Sequence, residues 1–345
     1  MKPFLTSILV ICFANQIIAQ NLNNLSFGTD STFEVVSWNI EWFPKNGNTS
    51  ANYVQTILTN LNADVYALQE IDDTTLLKQV IANIVGYECF LSSYGGLAYV
   101  YNTNTVQINA KYEIYTSQSY WNAFPRSPQV LDLNFNGENY ILINNHFKCC
   151  GDGILDLNDS SDEENRRLHA VTLLKEYIEN NFANKKVIVL GDLNDELTDL
   201  SANNVFEDFI TDNGNYLFTD LQIAQGNSAN WSYPSWPSHL DHILITNELF
   251  VDFQNLNSQV TVIRVDDYMN SWNHYENNVS DHRPVGLKLA SDNTTLIAEA
   301  INTNNKVIRI VDILGREVTK NTTGMIFYIF ETGKVEKVYT NTQYR

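Results

Sequence analysis

The sequence predicts an α/β fold in which two stacked sheets are flanked by helices, with a small β module after it. Three observations lead to this prediction. Short apolar runs alternate with amphipathic stretches up to Val85, strand-like runs follow one another from Gly95 to Ile143, and the character of the sequence changes after residue 295. The chain has 345 residues, 44% of them hydrophobic, which is enough for one large domain and a small appendage.

The N-terminal end has the order of a secretory signal. Residues 1–20 begin with Met-Lys-Pro, continue with an apolar stretch from Phe4 to Ala14, and end on the small-residue segment Ile18–Gln20. We predict that they are removed on export and that residues 21–32, rich in Asn and Ser, form a leader without structure. The apolar stretch is shorter than the ~20 residues needed to cross a bilayer, and no later segment is long enough, so we expect no membrane span.

The main domain is predicted over residues 33–290. It opens with strands and helices in alternation, at Phe33–Trp38, Ala51–Leu61, Asp64–Leu68 and Leu76–Val85. Antiparallel strands separated by Asn, Gly and Pro turns follow at Leu97–Tyr101, Val106–Tyr112, Gln129–Leu133 and Tyr140–Ile143. A long helix is predicted at Glu163–Phe182, then strands at Val187–Leu190, Leu240–Ile245, Val260–Arg264 and Val285–Leu289.

A polar linker at residues 291–295 separates this domain from a C-terminal module at 296–345. Three strands joined by turns are predicted within 307–318, 324–329 and 334–338. The segments "DILGREV" and "FYIFETGKVEKV" resemble the C-terminal sorting domain of type IX secretion, which directs export across the outer membrane of Bacteroidetes-type bacteria. That resemblance implies a secreted or cell-surface protein with the type IX secretion machinery as a partner. A generic β cap is the alternative.

The net charge of −19 excludes one class of function. Tight, sequence-indifferent binding to a polyanion through a basic face requires many Lys or Arg contacts to phosphates, which this chain does not offer. Hydrolysis of a polyanion is still compatible with the charge, because a bound divalent metal supplies positive charge at the reacting phosphate.

The cysteines do not form a disulfide framework. Cys12 leaves with the predicted signal, so the mature chain keeps Cys89 and the adjacent pair Cys149 and Cys150. A vicinal bridge between the adjacent pair and a state with reduced or differently paired thiols both stay open. The spacing does not suit zinc, since no compact His/Cys cluster accompanies these residues.

Polar residues suited to chemistry stand at the ends of six predicted strands. Each one alone is ordinary, because an Asp or Asn after a strand is usually a turn or a helix cap. Six in succession along an α/β framework indicate a crevice lined with functional side chains. The segments are Trp38–Asn39, Gln69–Glu70, Asn144–His146, Gly191–Asn194, Leu240–His242 and Ser280–Pro284.

The segments "SWNIEWF", "DVYALQEI", "NNHFK", "VIVLGDLND", "HLDHILI" and "SDHRPVGLKL" resemble the endonuclease/exonuclease/phosphatase superfamily. This superfamily includes pancreatic-type deoxyribonucleases, abasic-site endonucleases, sphingomyelinases and inositol phosphatases. The resemblance covers Phe33 to Leu289. It implies a four-layer α/β sandwich of two mixed sheets flanked by helices, and the hydrolysis of phosphoester bonds with a divalent metal.

Matching motif positions imply the metal ligands. Glu70 would be the principal metal carboxylate, with Asn39 and Asp281 close to it, and Asn39 would also contact the substrate phosphate. Asp192 and Asn194 would orient the attacking water or hold a second metal. Oxygen ligands of this kind suit Mg²⁺, or else Mn²⁺ or Ca²⁺.

The resemblance also implies the groups that handle protons and phosphate. Asp241 would pair with His282, so that His282 acts as a general base or a phosphate ligand. His146 would face the phosphate from the other side as an acid or hydrogen-bond donor, and Arg126 would grip the phosphate. The other histidines have no implied role, and we expect structural or surface positions for them: His169, His239, His242 and His274.

The loops select the substrate, and they favour a nuclease. The sequence has no apolar hairpin with paired exposed aromatic residues of the kind that membrane-acting sphingomyelinases carry. The loop from Lys148 to Gly153 and the acidic segment 156–164 would tune leaving-group access or bind an extra cation. Four aromatic residues would either stack nucleobases, belong to the core or touch lipid: Trp121, Trp231, Tyr233 and Trp236.

We therefore expect a monomeric, exported nuclease with nucleic acid as a transient substrate. The alternative is a phospholipid (sphingomyelinase-like) or small-molecule phosphoesterase on the same scaffold. A catalytically dead surface-binding module is disfavoured, because no motif residue is missing.

Overall fold

The computed structural model describes residues 21–290, 307–312, 315–319, 322, 324–330 and 335–340. Its strands in chain order are β1 (Phe33–Phe43), β2 (Val65–Ile71), β3 (Tyr87–Leu91), β4 (Gly96–Asn102), β5 (Val106–Glu113), β6 (Gln129–Phe135), β7 (Glu138–His146), β8 (Lys186–Asp192), β9 (Tyr216–Phe218), β10 (Asp241–Thr246), β11 (Gln259–Val262), β12 (Val285–Leu289), β13 (Val307–Asp312), β14 (Gly324–Phe330) and β15 (Val335–Thr340). Its α-helices are α1 (Gly47–Leu61), α2 (Thr74–Ala82), α3 (Glu163–Asn181), α4 (Glu207–Thr211), α5 (Leu221–Ala224), α6 (Phe250–Gln254) and α7 (Trp272–Asn278).

The main domain contains two six-stranded mixed sheets. The strand order is β11-β12-β1-β2-β4-β3 in the first sheet and β5-β6-β7-β8-β10-β9 in the second. Only β1 with β2 and β7 with β8 pair in parallel in these two sheets of the described chain. Parallel neighbours need a crossover connection, and the helices α1 and α3 lie in those two connections.

Successive side chains along each strand point to opposite faces of the sheet, and this divides the core into layers. On β1, Val35 packs between the two sheets with residues such as Leu142 and Leu190 of the second sheet. Its neighbour Val36 points to the opposite face, where α1 and α2 cover the first sheet. The helix α3 covers the outer face of the second sheet. The order helix, sheet, sheet, helix confirms the predicted α/β sandwich.

The helix α1 shows why these sequences form the outer layers. Its buried residues Val54, Ile57, Leu58 and Leu61 recur at helical spacing and place one apolar face on the first sheet. The helix ends where Asn62 adopts a left-handed conformation with φ of 48°, a common helix stop.

The expectation of an unstructured leader was wrong. Leu22, Leu25 and Phe27 are buried in the core beneath α1, and the N–H of Gly28 donates to Leu61 O at 2.7 Å. A Cβ at Gly28 would lie 1.8 Å from Asn62 O, so the chain passes too close for any side chain there. Three apolar residues within a polar stretch were enough to dock it, and overall composition does not reveal such spacing.

Several short elements escaped the sequence prediction. They are β3, β9 and the helices α4 to α7, all of seven residues or fewer, where periodicity gives little signal. No helix in the described ranges is long and apolar enough to cross a membrane. The predicted signal at residues 1–20 and the linker at 291–295 lie outside the described residues.

The C-terminal strands β13, β14 and β15 form an antiparallel sheet of their own in that order. This confirms the predicted small β module, with strands close to the predicted positions. The assignment as a sorting domain stays a prediction.

Candidate active site

Strand register brings three predicted site residues side by side in the second sheet. His146 on β7 is the cross-strand neighbour of Asp192 on β8, and Asp192 is in turn the neighbour of Asp241 on β10. Directly opposed residues share one face of a sheet, so these side chains form a row at one end of it. Asp192 occupies the centre of that row.

Close packing of backbone explains the glycine before Asp192. Gly191 has φ of +148°, and a Cβ there would lie 2.0 Å from Asn145 O on β7. Asn194 follows in a left-handed conformation with φ of 54°. Its backbone N–H donates to Asp192 Oδ1 at 3.2 Å and its side-chain amide donates to Phe147 O at 3.3 Å. The "GDLN" segment is thus a tight turn that fixes both Asp192 and Asn194.

The first sheet contributes Asn39 and Glu70, which meet the row from the opposite side. The Nδ2 of Asn39 donates to Glu70 Oε1 at 3.1 Å and, across the two sheets, to Asp192 Oδ2 at 2.9 Å. Its Oδ1 accepts from the Glu41 backbone at 2.9 Å. In this arrangement Asn39 therefore presents its amide nitrogen to the carboxylates. His146 Nε2 lies 3.7 Å from Glu70 Oε1 and 3.6 Å from Asp192 Oδ2.

His282 is held by its backbone as well as by its ring. Its N–H donates to Ser280 Oγ at 2.9 Å, and its carbonyl accepts from Tyr275 Oη at 2.6 Å. The ring Nδ1 lies 2.7 Å from Oδ2 of the fully buried Asp241. The ring also packs 4.8 Å from that of Tyr233, centroid to centroid. The Asp241–His282 pair implied by the resemblance is present.

Asp281 and an unpredicted acid, Glu41, complete the cluster. Asp281 Oδ1 lies 3.9 Å from His282 Nε2, and the Asp281 N–H donates to Glu41 Oε2 at 2.8 Å. Glu41 is buried, pairs with Lys45 and lies within the "SWNIEWF" motif, yet the sequence assigned it no role. The positive φ values of Glu41 and Trp42, 38° and 47°, turn the end of β1 towards the site.

Burial and neighbouring charges shift the pKa values of these groups. Burial raises the pKa of Asp192 to about 7 and that of Asp281 to about 6. Burial alone would lower the pKa of His282, but the carboxylates of Asp241 and Asp192 outweigh it and raise this pKa to about 10. The pKa of His146 is well below its usual range because of burial and the charges of Arg126 and His282. The pKa values of the two histidines are thus shifted in opposite directions.

The donor set fits a hard divalent cation. Glu70, Asp192 and Asp281 supply carboxylate oxygens, the ligands that Mg²⁺, Mn²⁺ and Ca²⁺ prefer. Oδ1 of the buried Asp241 has no hydrogen-bond partner among the described residues. Closely spaced, desolvated carboxylates are costly unless a cation offsets their charge. The residues that would hold a metal are thus brought together by the fold.

Arg126 is the predicted residue that lies apart. The other predicted site residues either line a cavity of about 740 Å³ or form a hydrogen bond to a residue that lines it. Arg126 is half-buried and lines a neighbouring hollow of about 240 Å³ with Trp121 and Tyr94. Its charge, after burial, contributes to the lowered pKa of His146.

The aromatic residues considered for base stacking do not all lie at the cavity. Tyr233 and Trp236 line the cavity, together with Trp42, which the sequence analysis did not single out. Trp42 and Trp236 are 64% and 76% exposed, which leaves both rings free at the mouth. Trp231 instead donates its indole N–H to Ile223 O at 3.0 Å.

The histidines without an implied role are structural or peripheral, as expected. His239 and His242 both pair with the fully buried Asp220, at 3.0 and 2.6 Å, and neither lines the cavity. His274 contacts Tyr53 Oη at 2.8 Å. His169 is exposed on α3.

The chain shares its family and its fold with known proteins. The model of the Endonuclease/Exonuclease/phosphatase family matches residues 36–282. No curated protein sequence matches significantly. The chain is similar to the structure of D. rerio TDP2 complexed with single-strand DNA product, with 15% identity, a TM-score of 0.57, and coverage of 76% of this chain and 100% of that one.

Two further structures show the same fold. The human Nocturnin catalytic domain with bound sulfate has 14% identity, a TM-score of 0.53 and coverage of 75% of this chain and 94% of that one. An endonuclease/exonuclease/phosphatase family protein from Bacteroides thetaiotaomicron has 15% identity, a TM-score of 0.53 and coverage of 75% and 97%.

Proposed function

The chain belongs to the endonuclease/exonuclease/phosphatase family and is a metal-dependent phosphoesterase, and from this premise we propose that it is an exported nuclease cutting nucleic-acid phosphodiester bonds. One observation carries the proposal. Asp192 lies within 3.8 Å of both His146 and His282, so acid, base and metal ligands converge on a single point at the floor of an open cavity.

The chemistry of a phosphodiester explains the need for this set. The bond resists hydrolysis through its negative charge and its poor leaving group. A divalent cation held by Glu70, with Asp281 and Asp192 near it, would neutralise charge on the non-bridging oxygens. Asp192 and the turn at Asn194 orient the attacking water.

The two histidines act from opposite sides of Asp192. Asp241 accepts a hydrogen bond from the Nδ1–H of His282, so the Nε2 of that ring faces the cavity as a donor to the phosphate or as a proton acceptor. His146 presents Nε2 from the other side, beside Glu70 and Asp192, as a hydrogen-bond donor to the phosphate or leaving oxygen. Arg126 approaches the phosphate from the neighbouring hollow.

The charge of the cavity narrows the substrate class. Its wall carries acidic residues such as Glu196 and Asp199, and the one arginine among its described lining residues, Arg167, is buried in ion pairs. A groove for duplex backbones would need basic residues. Exposed rings at the mouth, Trp42 and Trp236, favour a strand whose bases are free to stack.

A parallel assay tests the function. Single-stranded and duplex DNA, RNA, sphingomyelin and a chromogenic phosphodiester would be compared with Mg²⁺, Mn²⁺ or Ca²⁺ and with EDTA. We expect the highest kcat/KM on single-stranded nucleic acid, and no hydrolysis of any substrate in EDTA. Preferential hydrolysis of sphingomyelin would instead establish the lipid alternative. Full activity in the presence of chelator would refute the metal requirement.

We also propose that the protein is exported. The order of a signal at residues 1–20, the catalytic domain and the C-terminal β module supports this route. The small antiparallel sheet of β13 to β15 is compatible with a sorting domain. The protein would then be secreted or held at the cell surface and act as a monomer.

A further inference from the structure

Two consecutive cysteines lie in the wall of the active-site cavity. Cys149 and Cys150 belong to the loop after β7, are both exposed, and line the same cavity as His146. The thiol of Cys150 donates to Sγ of Cys149 at 3.0 Å. We propose that this pair is a redox-active dithiol site that reacts with low-molecular-weight disulfides and, when oxidised, changes substrate access to the cavity.

The loop backbone is anchored so that the two thiols stay together. The guanidinium of Arg167 donates through Nη1 to Lys148 O and Cys150 O, both at 2.8 Å, on either side of the pair. Arg167 is itself buried and paired with Asp195 at 2.7 Å and Glu164 at 3.1 Å. A buried charge network therefore fixes the loop from below while the sulfurs face outward.

Backbone conformation restricts the pair further. Cys150 has φ of +74°, a region that residues with a side chain rarely adopt, and Gly151 follows with φ of +108°. A Cβ at Gly151 would lie 2.2 Å from Glu164 Oε1, so the loop is packed tightly against α3. The cysteines are held in contact at a strained turn.

The surroundings favour thiol exchange over metal binding. Among the described residues, no group of three potential metal ligands includes either sulfur. A soft metal would need additional thiolate or imidazole ligands. Two adjacent accessible thiols without such ligands are suited to disulfide exchange.

The reaction balances with a small disulfide, RSSR, as the oxidant. Cys149, whose Sγ accepts a hydrogen bond from the Cys150 thiol and lies 3.7 Å from Lys148 Nζ, is the attacking thiol. Its thiolate forms a bond to one sulfur of RSSR, and the S–S bond breaks to release RSH. The Cys150 thiolate then attacks Cys149 Sγ, releases the second RSH and closes the vicinal disulfide. Two protein thiols are oxidised and one RSSR is reduced to two RSH.

Ring closure alters the cavity wall. The sulfurs, 3.0 Å apart, must approach to about 2.05 Å, which requires the Cys149–Cys150 peptide to turn. That peptide is tied to Arg167 through the carbonyls on both sides, so the wall has to rearrange. His146 itself is held in the ladder with β8 and keeps its place. The effect should therefore fall on substrate binding.

Mass spectrometry tests the disulfide without reference to activity. The full chain, reduced and then treated with oxidised glutathione, should lose two hydrogens and yield a linked 149–150 peptide that resists alkylation until it is reduced again. C149S and C150S should not form this link, whereas the control C89S should form it as wild type does. Only mixed glutathione adducts, or a link to Cys89, would overturn the proposal.

The effect on access rests on the proposed function and has its own readout. Oxidation should raise KM for a single-stranded oligonucleotide at least about fivefold, close to 1 kcal/mol, with kcat on a small chromogenic phosphodiester unchanged. The doubly substituted C149S/C150S protein should not respond to oxidant. A vicinal disulfide that forms with no change in KM would refute the link to access. Absence of nuclease activity in the reduced protein would instead count against the proposed function.

Discussion

The pairing of Asp241 with His282 permits a sharp test of catalysis. The His282 backbone is held by Ser280 and Tyr275 independently of its ring, so His282→Ala should leave the loop in place. The substitution removes a ring that faces Asp192 at 3.8 Å and is oriented by Asp241 at 2.7 Å. We therefore expect a loss of turnover with little change in structure.

The expected magnitude follows from the role of a positioned acid–base group. Such a group contributes ~10² to 10⁴ in rate, equivalent to ~2.7 to 5.4 kcal/mol of barrier, so kcat for His282→Ala should fall by that range. Asp241→Asn should cost a large part of this loss, because an amide can favour the wrong ring tautomer. The ring would then present an unsuitable nitrogen to the cavity.

The double variant shows whether the two residues act as a unit. Its kcat should be little lower than that of His282→Ala, since residues that work through one interaction give non-additive losses. Steady-state kinetics on one oligonucleotide at saturating metal would provide all four rates. Thermal unfolding of each variant is the control, because loss of one partner of a buried pair can cost ~3 to 5 kcal/mol of stability.

Two results would refute this reasoning. Losses that multiply in the double variant would show independent roles for Asp241 and His282. Rates that fall only in step with unfolding would show that the pair is structural. Inactive variants that melt close to wild type would support catalysis.

Three further predictions concern the metal, the stability and the export of the protein. Glu70→Gln is isosteric and should melt like wild type while turnover falls at least ~100-fold and more metal is required; an unchanged rate at saturating metal would remove Glu70 from the site. Burial raises the pKa of Glu34 from 4.5 to about 8, so the unfolded state loses this proton first and stability falls as pH rises through that window. The difference in unfolding free energy between Glu34→Gln and wild type should therefore be about 1 kcal/mol or more higher at pH ~8 than at pH ~5. Denaturant titrations that give the same difference at both pH values would contradict this. Mass spectrometry of secreted material should find a mature end near Gln20 or Asn21, and deletion of residues 296–345 should abolish surface delivery but not activity; a periplasmic protein that retains the module in its native host would reject the sorting role.

Much of the fold was predictable because the hydrophobic periodicity of short segments indicates where the longer helices and strands lie. The long helix α3 and the strand β12 lie where periodicity placed them, within a residue or two. The short strand β9 and the docked segment at Leu22 to Phe27 were missed, since their structure depends on what they pack against. A few residues carry too little periodic signal to reveal such contacts.

The site shows the same division. By itself the sequence determined which residue types stand at the strand ends, and its resemblance to the family implied a divalent metal and the Asp241–His282 pair. Only the tertiary structure placed Asp192 between both histidines, turned the Asn39 nitrogen to the carboxylates, and added Glu41. It also set Arg126 in a separate hollow. The reason is physical: these distances depend on the register between strands and on how two sheets stack, and neither is encoded in any local stretch of chain.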